Sequence, residues 1–354
     1  MDPVLTVDLN KIRHNAECLC QLGARHGVDI WAVTKVLCGN PHLGQALLEA
    51  GVMTLADSRL TNLRRLRAAG VGGKKVLLRL PSPRRAEAVV NLADISLNSE
   101  LTTLRALSAA ALQAGREHAV LLMVDLGDLR EGIWPDDLLE VAREAALLPG
   151  LQLIGLGSNL TCYGGVIPDE KNLGTLVDLA RQLEQAGVMR CQVISGGNSS
   201  SLSLMLEGCL PAGINNLRLG ESIILGRETI ARRPLPGLHT DAVTLQAEVI
   251  EVKDKPSVPI GEIGQDAFGR TPVFADRGWQ RRAILAVGQQ DVDPEGLIPL
   301  EPGLQVLGAS SDHLLLDTTD YPGEVQVGQI ISFGLTYAAL LRASTSAYVE
   351  EAYR

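Results

Sequence analysis

The alternation of short apolar runs with amphipathic stretches over the first two-thirds of the chain constrains its fold most. Two of the amphipathic stretches, 101–115 and 173–187, carry apolar residues at three- and four-residue spacing and end in Gly, which is typical of helices. Strands alternating with helices favour a parallel sheet, and eight such units in roughly 225 residues fit a (β/α)8 barrel. A doubly wound open sheet is the alternative, although no GxGxxG follows the first apolar run. The apolar runs span residues 29–37, 52–57, 75–80, 93–98, 118–126, 151–160, 190–197 and 216–225.

The last third of the chain follows a different pattern. The segment PLPG at 234–237 marks a break, and few helical patterns are evident after it until the end. We therefore expect a barrel domain over residues 1–230 and a smaller, mainly β domain over 231–354. The β-type runs of this second domain span residues 244–252, 282–288, 304–310, 313–319 and 329–335.

Composition and charge exclude several functions. A net charge of −9 without an outstanding basic block argues against nucleic acid as a partner. No uncharged run approaches the roughly 18 residues of a membrane helix, and the acidic Asp2 argues against a secretory signal. The six cysteines are then expected as reduced thiols in the cytoplasm. Cys18 and Cys20 lack the further ligands that a zinc site needs, so no metal is expected.

Functional side chains of a (β/α)8 barrel gather at the carboxyl ends of its strands. Lys35 lies near the end of the first run, where it is either an exposed strand-end lysine or a functional one. The segment SGGNSSS, residues 195–201, follows the seventh run, and RLGES, residues 218–222, ends the eighth. Glycine backbone, serine hydroxyls and a helix N-terminus suit an anion. These loops therefore predict a phosphate site, with a capped tight turn as the alternative.

Two arginines belong to the same predicted rim. Arg130 lies just past the fifth run, and Arg218 lies within the eighth. A guanidinium group is a fixed fork of donors that suits an anionic ligand, although each arginine alone could form a structural ion pair. Together with Lys35 and the two loops, they predict a pocket for a phosphorylated cofactor with a reactive carbonyl.

Longer segments resemble the alanine racemase family, and most closely its ornithine racemase-like branch. The resemblance runs nearly end to end and implies a barrel that binds pyridoxal 5′-phosphate (PLP), followed by a β domain. It also implies a head-to-tail homodimer in which each β domain closes the partner's active site. The matching segments are WAVTKVLCGN, ADSRLTNLRRL, MVDLGDLREG, LGSNLTCYGG, SGGNSSS, NLRLGESIILGRET, KPSVPIGEIGQDAFGR, AVGQQD, LGASSDHLLLD and FGLTYAALL.

The resemblance assigns roles to individual residues. Lys35 matches the lysine that carries PLP as a Schiff base and transfers the α-proton on one face of the substrate. Arg130 matches an arginine near the phenolic oxygen of PLP, and Arg218 matches the arginine at the pyridine nitrogen. The other cofactor matches are Asn198, Ser199, Gly220, Glu221 through its backbone N–H, and Tyr337, and the substrate matches are Arg130, Asn159 and Asp312, the last contributed across the dimer.

The sequence departs from this family at the second acid–base group. Alanine racemases use a tyrosine from the partner's β domain, and Phe268 holds that place here. Phenylalanine cannot carry a proton, so another group must serve the second face of the substrate. Met123 stands where many members have a modified lysine, and Gly39 stands where they have another phosphate-contacting tyrosine. The candidates for the second group are Asp266, His313, Cys162, Tyr163 and Tyr337.

The resemblance implies an amino acid racemase that acts on a free amino acid, with ornithine as the first candidate and lysine, arginine, alanine and serine as the others. A decarboxylase on the same fold is one alternative, but an acidic residue would then be expected in place of Arg218. A PLP carrier protein without turnover is the other alternative. Such single-barrel proteins lack a β domain, whereas this chain continues well beyond residue 230.

Overall fold

The computed structural model describes residues 2–354, which divide into two compact units. The barrel unit comprises Leu9–Thr240, and the β unit comprises residues 2–8 together with Asp241–Arg354. The units thus divide after Thr240, whereas the sequence pattern placed the division after residue 230.

The start of the chain belongs to the β unit because of its strand pairing. Strand β1 (Val4–Val7) pairs antiparallel with β10 (Val243–Pro256) and parallel with β16 (Glu350–Tyr353). The sequence analysis did not identify β1, because a strand of four residues is too short to show a clear period.

Parallel strands close the barrel, and each predicted apolar run supplies one of them. The (β/α)8 prediction is therefore confirmed, with β2 pairing β9 to complete the ring. The eighth run is a strand only in its first half, since Glu221 begins a short helix. The barrel strands are β2 (Asp29–Val33), β3 (Thr54–Asp57), β4 (Lys74–Leu77), β5 (Ile95–Asn98), β6 (His118–Met123), β7 (Leu151–Gly157), β8 (Val193–Ser195) and β9 (Asn216–Leu219).

The helices of this unit follow the strands and cover the outside of the barrel. Local sequence fixes where several begin: Asn40 caps the helix that starts at Pro41, and Asp169 forms a reciprocal capping box with Asn172. The helices are α1 (Leu9–Arg25), α2 (Pro41–Glu49), α3 (Leu60–Ala68), α4 (Ala86–Leu92), α5 (Leu101–Gln113), α6 (Leu138–Ala146), α7 (Glu170–Gln185), α8 (Leu202–Leu206) and α9 (Glu221–Leu225).

Aliphatic side chains fill the core of the barrel unit on both sides of the strands. Leu121 packs inside the barrel with Trp31 and Met123, whereas the neighbouring Val120 packs outside with Leu176, because adjacent strand residues point to opposite faces. Each fully buried Leu or Val contributes about 1.5–3 kcal/mol. Aliphatic burial on two faces therefore holds the strand ends in place without many aromatic residues.

The β unit is mainly antiparallel, as predicted. Its main sheet has the order β12-β15-β10-β11-β14-β13. Strand β10 buries alternate residues and contains a bulge between Val249 and Glu251, where its pairing with β11 shifts register. The elements of this unit not yet given are β11 (Trp279–Leu285), β12 (Leu297–Pro299), β13 (Gln305–Ala309), β14 (Leu314–Asp317), β15 (Ile330–Leu335) and helix α10 (Tyr337–Ala343).

None of the helices within residues 2–354 combines the length and the apolarity needed to cross a membrane. No disulfide joins any of the six cysteines, all of which lie in this described range.

Candidate active site

The carboxyl ends of the barrel strands meet at one rim, and Lys35 lies there. Strand β2 ends at Val33, and Lys35 begins a 3-10 turn, Lys35–Leu37, that leads to Cys38 and Gly39 in left-handed conformation. A side chain at Gly39 would place its Cβ 2.7 Å from Cβ of Asn62, which is closer than van der Waals contact allows. This conflict explains why glycine stands where other family members have a tyrosine. The turn leaves Lys35 half-buried at the rim.

A carboxyl group that the sequence analysis missed lies beside this turn. Asp57, the last residue of β3, is fully buried and accepts a 2.7 Å hydrogen bond from the Thr34 hydroxyl. It also accepts 2.9 Å hydrogen bonds from the Arg59 backbone N–H and the Asn62 amide. Burial raises the pKa of Asp57, and these donors together with the nearby charge of Lys35 oppose that rise. The sequence alone could have identified Asp57 as a candidate, because it is the last residue of the second apolar run.

Arg218 lies on β9 and is buried in the barrel. Its guanidinium donates to the Ser195 hydroxyl and, at 2.6 Å, to the Ser158 carbonyl. Burial lowers the pKa of Arg218 to about 10, with Glu131 acting in the opposite direction, so the group stays charged near neutral pH. The structure thus holds a cation on the strand next to β2, the strand that leads to Lys35.

Arg130 is the centre of a polar network at the same rim. Its guanidinium forms a two-point ion pair with Glu131, whose side chain is 20% exposed. The Asn159 amide lies between two donors: its oxygen accepts from Asn198 Nδ2 at 3.1 Å or, with the amide turned over, from the Arg130 guanidinium at 2.9 Å. The network therefore joins three of the predicted cofactor and substrate residues: Arg130, Asn159 and Asn198.

The loop after β7 brings Cys162 to this network. Asn198 Nδ2 lies 3.6 Å from Cys162 Sγ, and it donates a 2.8 Å hydrogen bond to the Leu160 carbonyl. The Asp128 carboxylate accepts backbone N–H groups of the loop, among them Tyr163 at 2.9 Å. Burial opposes ionisation of Asp128, but these donors hold its pKa below the usual range. A fixed carboxylate therefore shapes the loop that carries Cys162.

The serine loop, residues 195–201, offers donors that protein groups do not use. Ser199 Oγ accepts a 3.3 Å hydrogen bond from the Ser222 backbone N–H, while Asn198 Oδ1 accepts from the Ser200 N–H at 2.8 Å. Within residues 2–354, the buried hydroxyls of Ser200 and Ser222 have no hydrogen-bond partner. Each unsatisfied buried hydroxyl costs roughly 1–3 kcal/mol. An oxyanion would relieve that cost, so these residues fit a phosphate group.

The helical part of the phosphate prediction needs correction. Residues 199–206 form a 3-10 turn and the single turn of α8, and α9 after Gly220 also has only five residues. Such short helices carry little macrodipole, so hydroxyls and backbone N–H groups supply the donors. The Glu221 side chain pairs with Arg232, and burial raises the pKa of Glu221 while Arg232 and Lys35 counteract the rise.

The remaining predicted residues belong to the β unit. Asp266 is exposed and accepts 2.9 Å hydrogen bonds from the N–H groups of Phe268 and Arg270, which lower its pKa. Asp312 pairs with His313 at 2.8 Å, and both side chains are about half exposed or more. Tyr337 begins α10. The structure thus gathers the barrel candidates at one rim and places these others on a separate unit.

The rim has the features of one class of enzyme. A lysine just after a strand end, a buried arginine on the neighbouring strand and unsatisfied serine hydroxyls are features of barrel enzymes that bind an anionic cofactor. Among the described residues, no three His, Cys, Asp or Glu side chains cluster to hold a metal ion.

Comparison with known proteins identifies the family. The chain belongs to the alanine racemase family: the profile for "Alanine racemase, N-terminal domain" matches residues 7–227. The ornithine racemase of Acetoanaerobium sticklandii is 46% identical over 352 residues, 99% of each chain. The lysine racemase of Thermotoga maritima is 40% identical over 351 residues, 99% of this chain and 98% of that one.

Solved structures agree on the fold. The crystal structure of alanine racemase from Bartonella henselae with covalently bound pyridoxal phosphate superposes with a TM-score of 0.75 at 17% identity, covering 100% of both chains. The family resemblance and the fold class inferred from the sequence are therefore both confirmed.

Proposed function

We propose that the chain is a PLP-dependent racemase of a free basic amino acid, with ornithine as its preferred substrate and Lys35 as the lysine that carries PLP. The observation that carries this proposal is the position of Lys35 in the turn after β2, next to β9, the strand that holds the buried cation of Arg218. The relatives favour racemisation over the decarboxylase and carrier alternatives, since two of them are racemases that match nearly the whole chain.

Different residues of the rim would contact different parts of the cofactor. Lys35 would hold the aldehyde carbon, Arg130 the phenolic oxygen and Arg218 the pyridine nitrogen. The serine loop with Ser199, together with the backbone around Gly220, would hold the phosphate, and Tyr337 joins this set by family resemblance. When bound, PLP supplies an electron sink that acidifies the Cα–H of an attached amino acid. Arg218 remains charged near neutral pH, so it would donate a hydrogen bond to the pyridine nitrogen and keep its proton.

Proton transfer on two faces requires two groups. As a free amine, Lys35 would accept or return the α-proton on one face of the substrate. Asp266 is a less suitable second group because the N–H groups of Arg270 and Phe268 both donate to its Oδ1 and hold its pKa below the usual range. We assign the second transfer to Cys162, whose thiol lies in the Asn198–Arg130 network at the rim of the same unit. His313, oriented by Asp312, is the competing assignment.

The substrate assignment follows from the relatives and from charge. Ornithine and lysine, named for the two relatives, both carry a side-chain ammonium. Asp312 has a largely exposed carboxylate, and Glu131 has a partly exposed one, so either can face that ammonium. We propose Asp312 as the substrate contact, and Arg130 with Asn159 as donors to the substrate carboxylate.

The β unit carries the features expected of a dimer contact. The connection between β10 and β11, residues 257–278, exposes Ile260, Val273 and Phe274, and Trp279 follows it. Apolar side chains concentrated on one segment mark an interaction surface. We propose that a second copy of the chain covers them in a head-to-tail homodimer, in the cytoplasm. Light scattering after gel filtration should give twice 37.7 kDa; a monomer with full activity would contradict the dimer.

Proton NMR of single L-amino acids with enzyme and PLP in deuterium oxide, followed by chiral chromatography, tests the function. We expect the Cα–H signal to disappear and the D-isomer to form, fastest for ornithine. Release of carbon dioxide with formation of an amine would instead support the decarboxylase. Bound PLP without any exchange would support the carrier.

A further inference from the structure

The turn that carries Lys35 is attached to a buried carboxylate on the next strand. Thr34, the residue before Lys35, donates its backbone N–H to the Ala56 carbonyl at 2.9 Å and its hydroxyl to Asp57 at 2.7 Å. The Thr34 carbonyl in turn accepts the N–H groups of Leu37 and Gly39, each at 3.2 Å. Thr34 therefore connects the Lys35 turn to β3 through two hydrogen bonds.

Asp57 also organises the loop on its other side. Its second oxygen accepts from the Arg59 N–H and the Asn62 amide, and Asn62 packs directly beneath Gly39 at the end of the Lys35 turn. One carboxylate thus bonds to the residue before Lys35 and to the residue that supports Gly39. A buried carboxyl with three donors is costly to assemble and is retained where it fixes geometry or charge.

Arg65, from α3, also contacts the Lys35 turn. It donates to the Cys38 carbonyl at 3.4 Å, but this contact is exposed to solvent. The Asp57 carboxylate is fully buried, so its hydrogen bonds to Thr34 and Asn62 are shielded from competing water.

We propose that Asp57 is a positioning residue for Lys35: through Thr34 and Asn62 it fixes the turn that presents the lysine amine to PLP. This inference rests on the proposed role of Lys35. Neither the sequence pattern nor the family resemblance assigned a role to Asp57 or Thr34.

The test measures PLP capture rather than turnover. The full-length apoprotein is mixed with PLP at a series of pH values, quenched with borohydride, and the modified Lys35 peptide is quantified by mass spectrometry. Capture joins the lysine amine to the aldehyde with loss of water, so its rate depends on how the turn presents Lys35. Asp57→Asn replaces one acceptor oxygen by an N–H donor and breaks the bond to Thr34 or those to Arg59 and Asn62, so the plateau rate of capture should fall about fivefold.

A second pair of variants tests the connection through Thr34. Thr34→Val removes the hydroxyl that donates to Asp57, so the plateau rate should fall about fivefold; Thr34→Ser keeps a hydroxyl and should retain the wild-type plateau. Asp317→Asn is the matched control, because it removes a buried, hydrogen-bonded carboxylate from the β unit. It should leave the plateau rate unchanged.

The outcomes distinguish this inference from the proposed function. If wild-type protein captures no PLP on Lys35, the proposed function fails. If it captures PLP but Asp57→Asn has the wild-type plateau rate, the inference is wrong. Should Asp57→Asn not fold, equal plateaus for Thr34→Val and Thr34→Ser would overturn the positioning role, and a lower plateau for Thr34→Val alone would support it.

Discussion

The candidate residues of the barrel unit and those of the β unit are held in different ways. Arg218 and Asp57 are buried, and their polar atoms bond to other strands and loops of the barrel. Asp266 and Asp312 are exposed, and their partners lie within four residues along the chain. The fold of the barrel unit therefore fixes the positions of its candidate side chains. The exposed side chains of the β unit would be fixed only by a partner or substrate that covers them.

Among the substitutions in the two units, replacement of Lys35 in the barrel unit should reduce activity most. Lys35→Ala should lose the absorbance of lysine-bound PLP and reduce racemisation by at least about a thousandfold, because no other residue replaces a covalent lysine. Absorbance spectra and chiral assays measure both quantities. Lys35→Arg keeps the charge and serves as the control, and it should be equally inactive. Retained turnover in either variant would remove Lys35 from the mechanism.

Replacement of Cys162 should cause the next largest loss of activity. Cys162→Ala should slow racemisation about a hundredfold, as loss of an acid–base group does. Exchange of the Cα–H with deuterium should persist for the one enantiomer whose proton Lys35 removes. NMR of each ornithine enantiomer in deuterium oxide detects this split, with His313→Gln run in parallel. If His313→Gln shows the split and Cys162→Ala does not, the second group lies in the β unit.

Changing the cation on β9 should alter the products more than the rate. Arg218→Glu should lower turnover about tenfold and increase the share of side products, because a carboxyl can supply a proton to the pyridine nitrogen. Arg218→Lys keeps the charge and should retain the wild-type product distribution. Mass spectrometry of the reaction mixture measures that distribution. The same products from all three proteins would contradict the role given to Arg218.

A buried histidine should make the stability of the barrel unit depend on pH. Burial lowers the pKa of His118, on β6, to about 4, and its Nε2 lies 2.8 Å from the Ser96 hydroxyl. Because the unfolded chain binds this proton near pH 6.5, the stabilisation is complete above that pH and is lost as the pH falls toward 4. The total is up to about 3 kcal/mol. Urea unfolding of wild type and His118→Gln between pH 4 and 7 should show a steeper loss in the wild type; parallel curves would exclude His118 as the cause.

Removal of the Asp266 charge should have the smallest effect. Asp266→Asn keeps an acceptor for the N–H groups of Phe268 and Arg270, so racemisation should stay within about twofold of wild type. Steady-state rates in both directions check this. A loss of a hundredfold would restore Asp266 as the second proton-transfer group.

Sequence periodicity was sufficient to predict the barrel, because each strand and helix carries its own pattern over a few residues. It also located Lys35, Arg218 and the serine loop, since strand ends of a closed parallel barrel share one rim. The bonds that define the site were not predictable in this way. Asp57 meets Thr34 across 23 positions, and Asn198 meets Asn159 across 39, and no local pattern encodes such pairs.

The same limit explains the differences at the element boundaries. Strand β1 has four residues and joins strands more than 200 positions away, so its place in the β unit depends on pairing rather than on local sequence. The eighth apolar run contains both a strand and a helix, since apolar residues are buried in either.

The most direct test of the account is the deuterium-exchange experiment on L-ornithine, carried out with wild type and Lys35→Ala in parallel. The account predicts that wild-type enzyme with PLP removes the Cα–H signal and yields equal amounts of L- and D-ornithine, whereas Lys35→Ala does neither. Full consumption of the Cα–H signal by Lys35→Ala, or no D-ornithine from PLP-loaded wild type, would contradict it.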